Sequence, residues 1–343
     1  MYFKTCLHHI LTILRSTHTR LSLLTCFSIL FIFTFRYNIL TLFYIGQTYV
    51  TWYRFYSGVI TSKDNFDTTF SSYPINQTSA IPNYTDLVPA IIHHIVIGDI
   101  DISKHPTWTA SRDACLKLHP DYEYKFWNDS LAEELIRKEY SWFLETWKSY
   151  RYPIQRADSL RYLVLYHYGG IFLDMDLHCR RSLGPLRRFD FISPAAYPVG
   201  ISNGFLMASA HHPFIKVLVD QLPLFNRNFI FPYATVMFST GCMYISAQYS
   251  LYNDHCRLRL LDYKQHRLSG HVSTPLFHHY GSSSWHSGDA SFIKQADYLI
   301  NRLIYHQQLF FIHIFVFVII IIYVLYRRRR TKKEEKLEYI LLT

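Results

Sequence analysis

Residues 153–176 constrain the fold of this chain more than any other stretch. Behind Pro153, Ala157, Leu160 and Val164 recur at helical spacing, so residues 154–168 read as an amphipathic helix. Gly169 and Gly170 suit its stop, where positive φ is easiest for glycine. Ile171-Phe172-Leu173 is a short apolar run of the kind that forms a buried strand. Asp174 and Asp176 follow where that strand ends, and an alternating backbone would point both carboxylates the same way. In open α/β sheets, ligands bind beyond the carboxyl ends of the strands. Two carboxylates there repel and lose hydration unless a cation offsets them. A hard divalent ion, Mn²⁺ or Mg²⁺, shared with substrate phosphates is the expected occupant.

The 343 residues have room for one large α/β domain with flanking elements, and a composition that is half hydrophobic excludes a disordered chain. The net charge of +10 suggests nucleic acid until it is located. Residues 1–36 hold Lys4, Arg15, Arg20 and Arg36 with no acid, and residues 327–343 hold seven basic and three acidic residues. The middle is left nearly neutral, which excludes a surface that tracks nucleic-acid phosphates. The basic ends instead flank apolar runs. Residues 21–35 and 37–45 form a signal-anchor segment (21–45) interrupted by Arg36, which can snorkel. Residues 309–326 are nearly unbroken Phe, Ile, Val and Leu ahead of four arginines and read as a second span of ~27 Å. Both basic flanks lie on the chain-terminal side, so the termini (1–20 and 327–343) are expected in the cytosol and the middle in the lumen.

Residues 46–86 read as a lumenal stem, polar and without helical period, with glycosylation sequons at Asn76 and Asn83. The catalytic domain is expected over residues 87–305. Its opening run, 88–98, reads as a buried strand, with His93 making its own hydrogen bond and His94 an outward neighbour. A helix over 107–118 and a strand over 122–127 continue the βαβ rhythm, and Asp129 or Ser130 suits the next helix cap. Strands are expected at 189–193 and 202–208, and a helix from His212 to about residue 222. Cys6, Cys26, Cys115, Cys179, Cys242 and Cys256 are scattered singly. That excludes a C-x-x-C site and leaves one or two lumenal disulfides of unread pairing.

Arg156-x-Asp158-x-x-Arg161-Tyr162, the helix, Tyr168-Gly169-Gly170 and Leu173-Asp174-x-Asp176, in this order, resemble the family-32 glycosyltransferases with their DXD motif. The resemblance extends to Val88-Pro89-Ala90-Ile91-Ile92-His93, to Trp127-Asn128-Asp129 and to Ser239-Thr240-Gly241, where Cys242 replaces the family's proline. Asn203-Gly204 matches an element that lines the donor or acceptor pocket in the family, and is equally a turn dipeptide. Near the end, His278, His279 and His286 compete for one family histidine beside Ser284-Trp285, and spacing favours His279.

The resemblance implies a GT-A-like fold, with Asp174, Asp176 and His279 as metal ligands. It also implies Asp158, Arg161, Tyr162, Asn203 and Trp285 around the donor, Asp158 acting beside the anomeric carbon. Most similar are the fungal inositol phosphorylceramide mannosyltransferases, which also carry a C-terminal span. They imply retaining transfer of mannose from GDP-mannose to a sphingolipid at the Golgi membrane, with a small regulatory subunit as a further partner and no nucleic acid. The rival readings are a transferase acting on glycoproteins or other glycolipids, and a non-catalytic subunit; the latter is disfavoured because both aspartates are present.

Overall fold

The structure is a computed structural model that describes residues 17–55 and 58–281. The expected second span, Trp285, His286 and Cys6 lie outside the described residues.

A six-stranded mixed sheet forms the centre. Its strands are β1 (Ile91–Ile95), β2 (Glu123–Trp127), β3 (Gly170–Leu173), β5 (Phe191–Pro194), β6 (Phe205–Ala208) and β7 (Leu258–Leu261), in the order β2-β1-β3-β6-β5-β7. β1 lies parallel to both β2 and β3, and β7 is parallel to β5. β6 runs antiparallel to β3 and β5. β3 is therefore central and buried throughout, as its unbroken apolar sequence requires. A small antiparallel sheet orders β4 (Leu177–Cys179), β9 (Phe277–His279) and β8 (Val272–Ser273) beside it. The helices are α1 (Thr17–Phe55), α2 (Pro106–Leu118), α3 (Asp129–Glu139), α4 (Leu144–Ser149), α5 (Pro153–Tyr168), α6 (Pro213–Phe225), α7 (Pro232–Ser239) and α8 (Cys242–Leu251), with a single turn, α9 (Tyr263–His266), after β7.

α5 starts on Pro153, and the Gln155 side chain accepts the Tyr152 amide at 3.1 Å. It stops at Gly169 (φ 66°) and Gly170 (φ 99°). A Cβ at Gly170 would come within 2.7 Å of the Ile91 carbonyl, so glycine also permits the close approach of β3 to β1. Leu160, Leu163, Val164 and Leu165 are fully buried. Contrary to an amphipathic reading, the polar residues Asp158, Ser159 and Arg161 are buried too. The helix's polar face meets protein groups rather than water.

Several expected boundaries move. The first strand keeps only residues 91–95 of the expected 88–98. β5 starts at Phe191, and residues 203–204 form a bend before β6. α6 runs on to Phe225, with His212 capping it through the Phe214 amide. Asn128, rather than Asp129 or Ser130, caps α3, accepting the Leu131 amide at 3.0 Å; Asp129 instead accepts the Gly98 amide at 2.7 Å. His94 is no outward neighbour: it is fully buried, packed edge-on against Tyr124 at 5.7 Å. His93 does make its own hydrogen bond, to the Gly169 carbonyl at 2.8 Å.

The two N-terminal apolar runs form one helix through Arg36, of which Leu24–Trp52 is long and apolar enough to cross a membrane. It continues ten residues beyond 45 into the expected stem. Thr41, Ile45, Thr48 and Trp52, spaced four, three and four residues apart, are buried, with Trp52 packed on Tyr249 of α8 at 5.6 Å. The rest of the stem is fastened down as well: Ile60, Phe66 and Phe70 join the core beneath the sheet with Leu173 and Met207. Asn76 and Asn83 remain exposed. Cys115 on α2 is disulfide-bonded to Cys179 on β4, the strand that follows the aspartate turn.

Candidate active site

The site is built where β3 ends. The chain leaves β3 by a turn, so the carboxylates of Asp174 and Asp176 are not placed by simple alternation. Asp174 is fixed by its amide, which donates to the Gly204 carbonyl at 2.8 Å. Asp176 is fixed by its carbonyl, which accepts the Tyr280 amide at 3.1 Å. The β4–β9 pairing places His279 opposite Leu177 and brings its Nε2 to 3.3 Å from Asp176 Oδ2.

From α5, Arg161 reaches across to this turn. Its guanidinium lies 2.8 Å from Asp158, 3.4 Å from Asp174 and 2.6 Å from the Asn203 carbonyl. Asp158 accepts hydrogen bonds from Asn203 Nδ2 (3.2 Å) and Thr240 Oγ1 (3.1 Å). The Cys242 thiol, which burial pushes up to about 11 and so keeps protonated, donates to Asn203 Oδ1 at 2.9 Å. Its donation fixes which way the Asn203 amide faces. Tyr162, expected beside the donor, is instead fully buried with its hydroxyl donating to the Thr240 carbonyl at 2.7 Å. It positions Thr240 and presents nothing to a ligand.

The three carboxylates differ in openness. The Asp158 side chain is 5% exposed, Asp176 12% and Asp174 38%. Burial raises the Asp158 carboxyl, with Arg161, Thr240 and Asn203 pulling it back. Burial pushes Asp174 up to about 7, opposed by Arg161 and reinforced by Asp176 and Asp158. Burial also works against the Arg161 charge, but Asp174 and Asp158 more than restore it. Burial works against the His279 charge, but its bond to Asp176 together with the charges of Asp176 and Asp174 more than offsets it, so its pKa is raised. Excess negative charge is therefore left at the open end of the cluster, around Asp174 and Asp176, where a cation would relieve it.

Oxygen donors of this kind fit Mn²⁺ or Mg²⁺. Among the described residues no three His, Cys, Asp or Glu side chains converge as a ready-made cage. The donor set suits an ion held by two carboxylates and completed by substrate oxygens and water, the usual habit of Mg²⁺. His278 points its Nδ1 at Ser273 Oγ at 2.6 Å and is engaged there.

Three residues named in the sequence make contacts that it did not reveal. Gly204 carries no side chain because a Cβ would stand 2.8 Å from Asp174 Oδ2, so Asn203-Gly204 is more than a turn dipeptide. Thr240 and Cys242 belong to a stretch noted only for its missing proline. Their roles depend on α7 and α8 returning to α5, a contact that no local pattern encodes.

Residues 106–193 match the family described as glycosyltransferase sugar-binding region containing DXD motif. Inositol phosphoceramide mannosyltransferase 2 of Schizosaccharomyces pombe is 34% identical over 249 residues, covering 69% of this chain and 68% of that protein. The chain belongs to this glycosyltransferase family. Inositol phosphoceramide mannosyltransferase 1 of the same yeast is 32% identical over 228 residues, 65% of this chain and 70% of that protein. Mannosyl phosphorylinositol ceramide synthase CSH1 of Saccharomyces cerevisiae is 39% identical over 217 residues, 61% of this chain and 55% of that protein. The chain thus spans little more than half the length of that relative. Asp158, Arg161, Asp174 and Asp176 all fall inside the family match.

Proposed function

We propose that the protein is a membrane-bound retaining mannosyltransferase with a GT-A-like domain, transferring mannose from GDP-mannose to the inositol of inositol phosphorylceramide. One observation carries the reading: the family-matched residues Asp158, Arg161, Asp174 and Asp176 meet at a single sheet end in a chain related to inositol phosphoceramide mannosyltransferases.

Asp174 and Asp176 would hold Mn²⁺ or Mg²⁺, which supplies neutralisation of the diphosphate charge as the nucleotide departs. The chain's own groups do the rest. Arg161, clamped by Asp158 and the Asn203 carbonyl, is a fixed positive charge that needs no reorganisation when negative charge grows nearby. Asp158, held by three donors, stabilises positive charge developing at the anomeric carbon. By family position Trp285, which lies outside the described residues, would contact the donor, and His279, 3.3 Å from Asp176, would support the metal end. Retention by a front-face route is what the family resemblance implies.

The reading extends to location: the Golgi membrane, both termini cytosolic, spans at residues 21–45 and 309–326, and the domain in the lumen. Support comes from the basic flanks, the exposed sequons at Asn76 and Asn83, and the Cys115–Cys179 disulfide, a bond favoured in oxidising compartments. The test is a panel of nucleotide sugars offered to membranes carrying the protein, with lipid and glycoprotein acceptors in parallel. GDP-mannose with the lipid is expected to yield product; glycoprotein labelling without lipid product would overturn the acceptor.

A further inference from the structure

α1 changes character partway along its length. From Leu24 to Phe35 its large apolar side chains, Phe27, Leu30 and Phe33 among them, are exposed on every side. From Thr41 onward one stripe is buried against the domain. Between the two zones lie Arg36, Tyr37 and Asn38, and here the domain reaches back to the helix. Asn38 Nδ2 donates to the Asn228 carbonyl at 3.0 Å, and the Arg227 guanidinium sits 4.6 Å over the Tyr37 ring.

The next three residues form the turn between α6 and α7. Ile230 is 92% exposed and Phe231 is exposed beside it. The turn is built rather than loose. The Phe229 amide donates to Thr235 Oγ1 at 2.9 Å, and the Phe229 ring packs edge-on against Phe238 at 5.2 Å. Two large apolar side chains held out at the tip of a fastened turn lose stabilisation in water and gain it in hydrocarbon.

We propose that the Phe229-Ile230-Phe231 turn seats the domain in the surface of a phospholipid bilayer beside α1, with Arg36 and Arg227 reaching up toward the lipid phosphates. The depth follows from the helix. Ile39, Leu42 and Phe43, on the side of α1 away from the domain, remain exposed and apolar. Leu24 to Phe43 rises ~30 Å, one hydrocarbon thickness. The bilayer surface therefore falls between Arg36 and Phe43, and the turn, attached at Tyr37 and Asn38, lies at that surface or up to ~10 Å beneath it. That is the depth at which interfacial apolar elements settle. Neither α1 nor residues 226–231 carry a carboxylate, which suits a phosphate layer.

The seating also orients the site. α8 begins at Cys242 in the site, and Tyr244, two residues on, packs against Phe225 at 5.1 Å, which stacks on Tyr44 at 6.1 Å. Its far end meets Trp52 through Tyr249. The site end of α8 therefore faces the bilayer side of the domain, where a lipid headgroup would be presented. This inference rests on α1 being a membrane span and does not depend on which sugar is transferred.

The experiment uses the full chain in liposomes of phosphatidylcholine and phosphatidylinositol. Single cysteines are added by Ile230→Cys, Phe231→Cys, Ile29→Cys and Ile75→Cys, labelled with an environment-sensitive fluorophore, and read as the difference from the labelled parent. Lipids spin-labelled near the headgroup should quench positions 230 and 231 roughly twofold or more and leave position 75 unchanged. Position 29, on the exposed lower helix, reports on the span itself through lipids labelled deep in the chain. If 29 is quenched while 230 and 231 behave like 75, or are shielded from aqueous reagents without lipid quenching, the turn does not enter lipid and the proposal falls. If 29 is not quenched either, the span reading falls with it.

Discussion

Two groups of buried ionisable side chains share the same sheet and are handled in opposite ways. Around β1 and α2 the histidines are kept neutral. His93 Nε2 donates to the Gly169 carbonyl, so its Nδ1 is left to accept the Trp127 indole N–H at 3.2 Å. His119 donates from Nδ1 to the Cys115 carbonyl at 2.7 Å and accepts the Leu183 amide at Nε2. Every site on both rings is used, and burial lowers each to about 4. At the far end of β3, Asp158, Arg161 and Asp174 are instead kept crowded, and the half-buried Asp174 has its pKa pushed up by desolvation and by its neighbouring carboxylates. Neutral groups hold the fold together, His93 and His119 fully hydrogen-bonded and His94 packed without a hydrogen-bond partner. Unsatisfied charge is left where a cation and a diphosphate would complete it.

Asp176→Asn tests the charged end hardest, removing a carboxylate without changing volume. Divalent-ion-dependent transfer should fall by ~10²–10³-fold while the protein stays folded and membrane-inserted, because a preorganised charge contact is lost. Near-normal transfer, or activity undiminished by a chelator, would remove Asp176 from the site. Gly204→Ala should lower transfer by ~10–10²-fold by pushing Asp174 aside, with little loss of thermal stability. Unchanged activity there would mean that Asp174 need not be held where it is.

Acidification separates the two regions. The buried histidines are depressed below their unfolded value of 6.5, so their contribution is complete above pH 6.5 and is lost as pH falls toward about 4 for His93 and His119. His94, lowered to about 3, continues the loss further. At pH 5 each costs about 2 kcal/mol. Asp174 runs the other way. Its raised pKa favours the fold at low pH and gives that contribution up between about 4 and about 7. Denaturant titrations of the solubilised protein should show net loss of stability below pH 6.5, steeper in Asp174→Asn and shallower in His93→Gln. Identical slopes in the two variants would erase the distinction. The smallest effect is expected at Cys242. Cys242→Ser keeps a donor to Asn203 and should change transfer by less than about threefold, whereas Cys242→Ala removes one hydrogen bond, about 1 kcal/mol, and should cost about fivefold.

The helix, glycine stop, strand and aspartate pair were legible because they lie within one continuous stretch whose period and punctuation are local. Arg161 and Asp158 were readable as a pair for the same reason, being one turn apart. The amphipathic reading of α5 failed because a polar face can be buried against other polar groups, and composition does not distinguish that from water. His94 was misplaced because both faces of β1 are covered, which depends on α2 returning from outside the strand. The burial of Phe66 and Phe70 within the expected stem is tertiary and leaves no period in sequence. Gly204 became intelligible only once β6 had paired with β3, and Thr240 and Cys242 only once α7 and α8 had been brought to α5.

The central claim is that this carboxylate cluster serves mannosyl transfer to a sphingolipid. It is tested most directly by incubating membranes carrying the wild-type chain or Asp174→Ala with labelled GDP-mannose, inositol phosphorylceramide and Mn²⁺, and resolving the lipid products. Labelled mannosyl lipid is predicted with the wild type and none above background with Asp174→Ala at equal expression. Equal product from both, or label that appears in glycoprotein and never in lipid, would contradict the account.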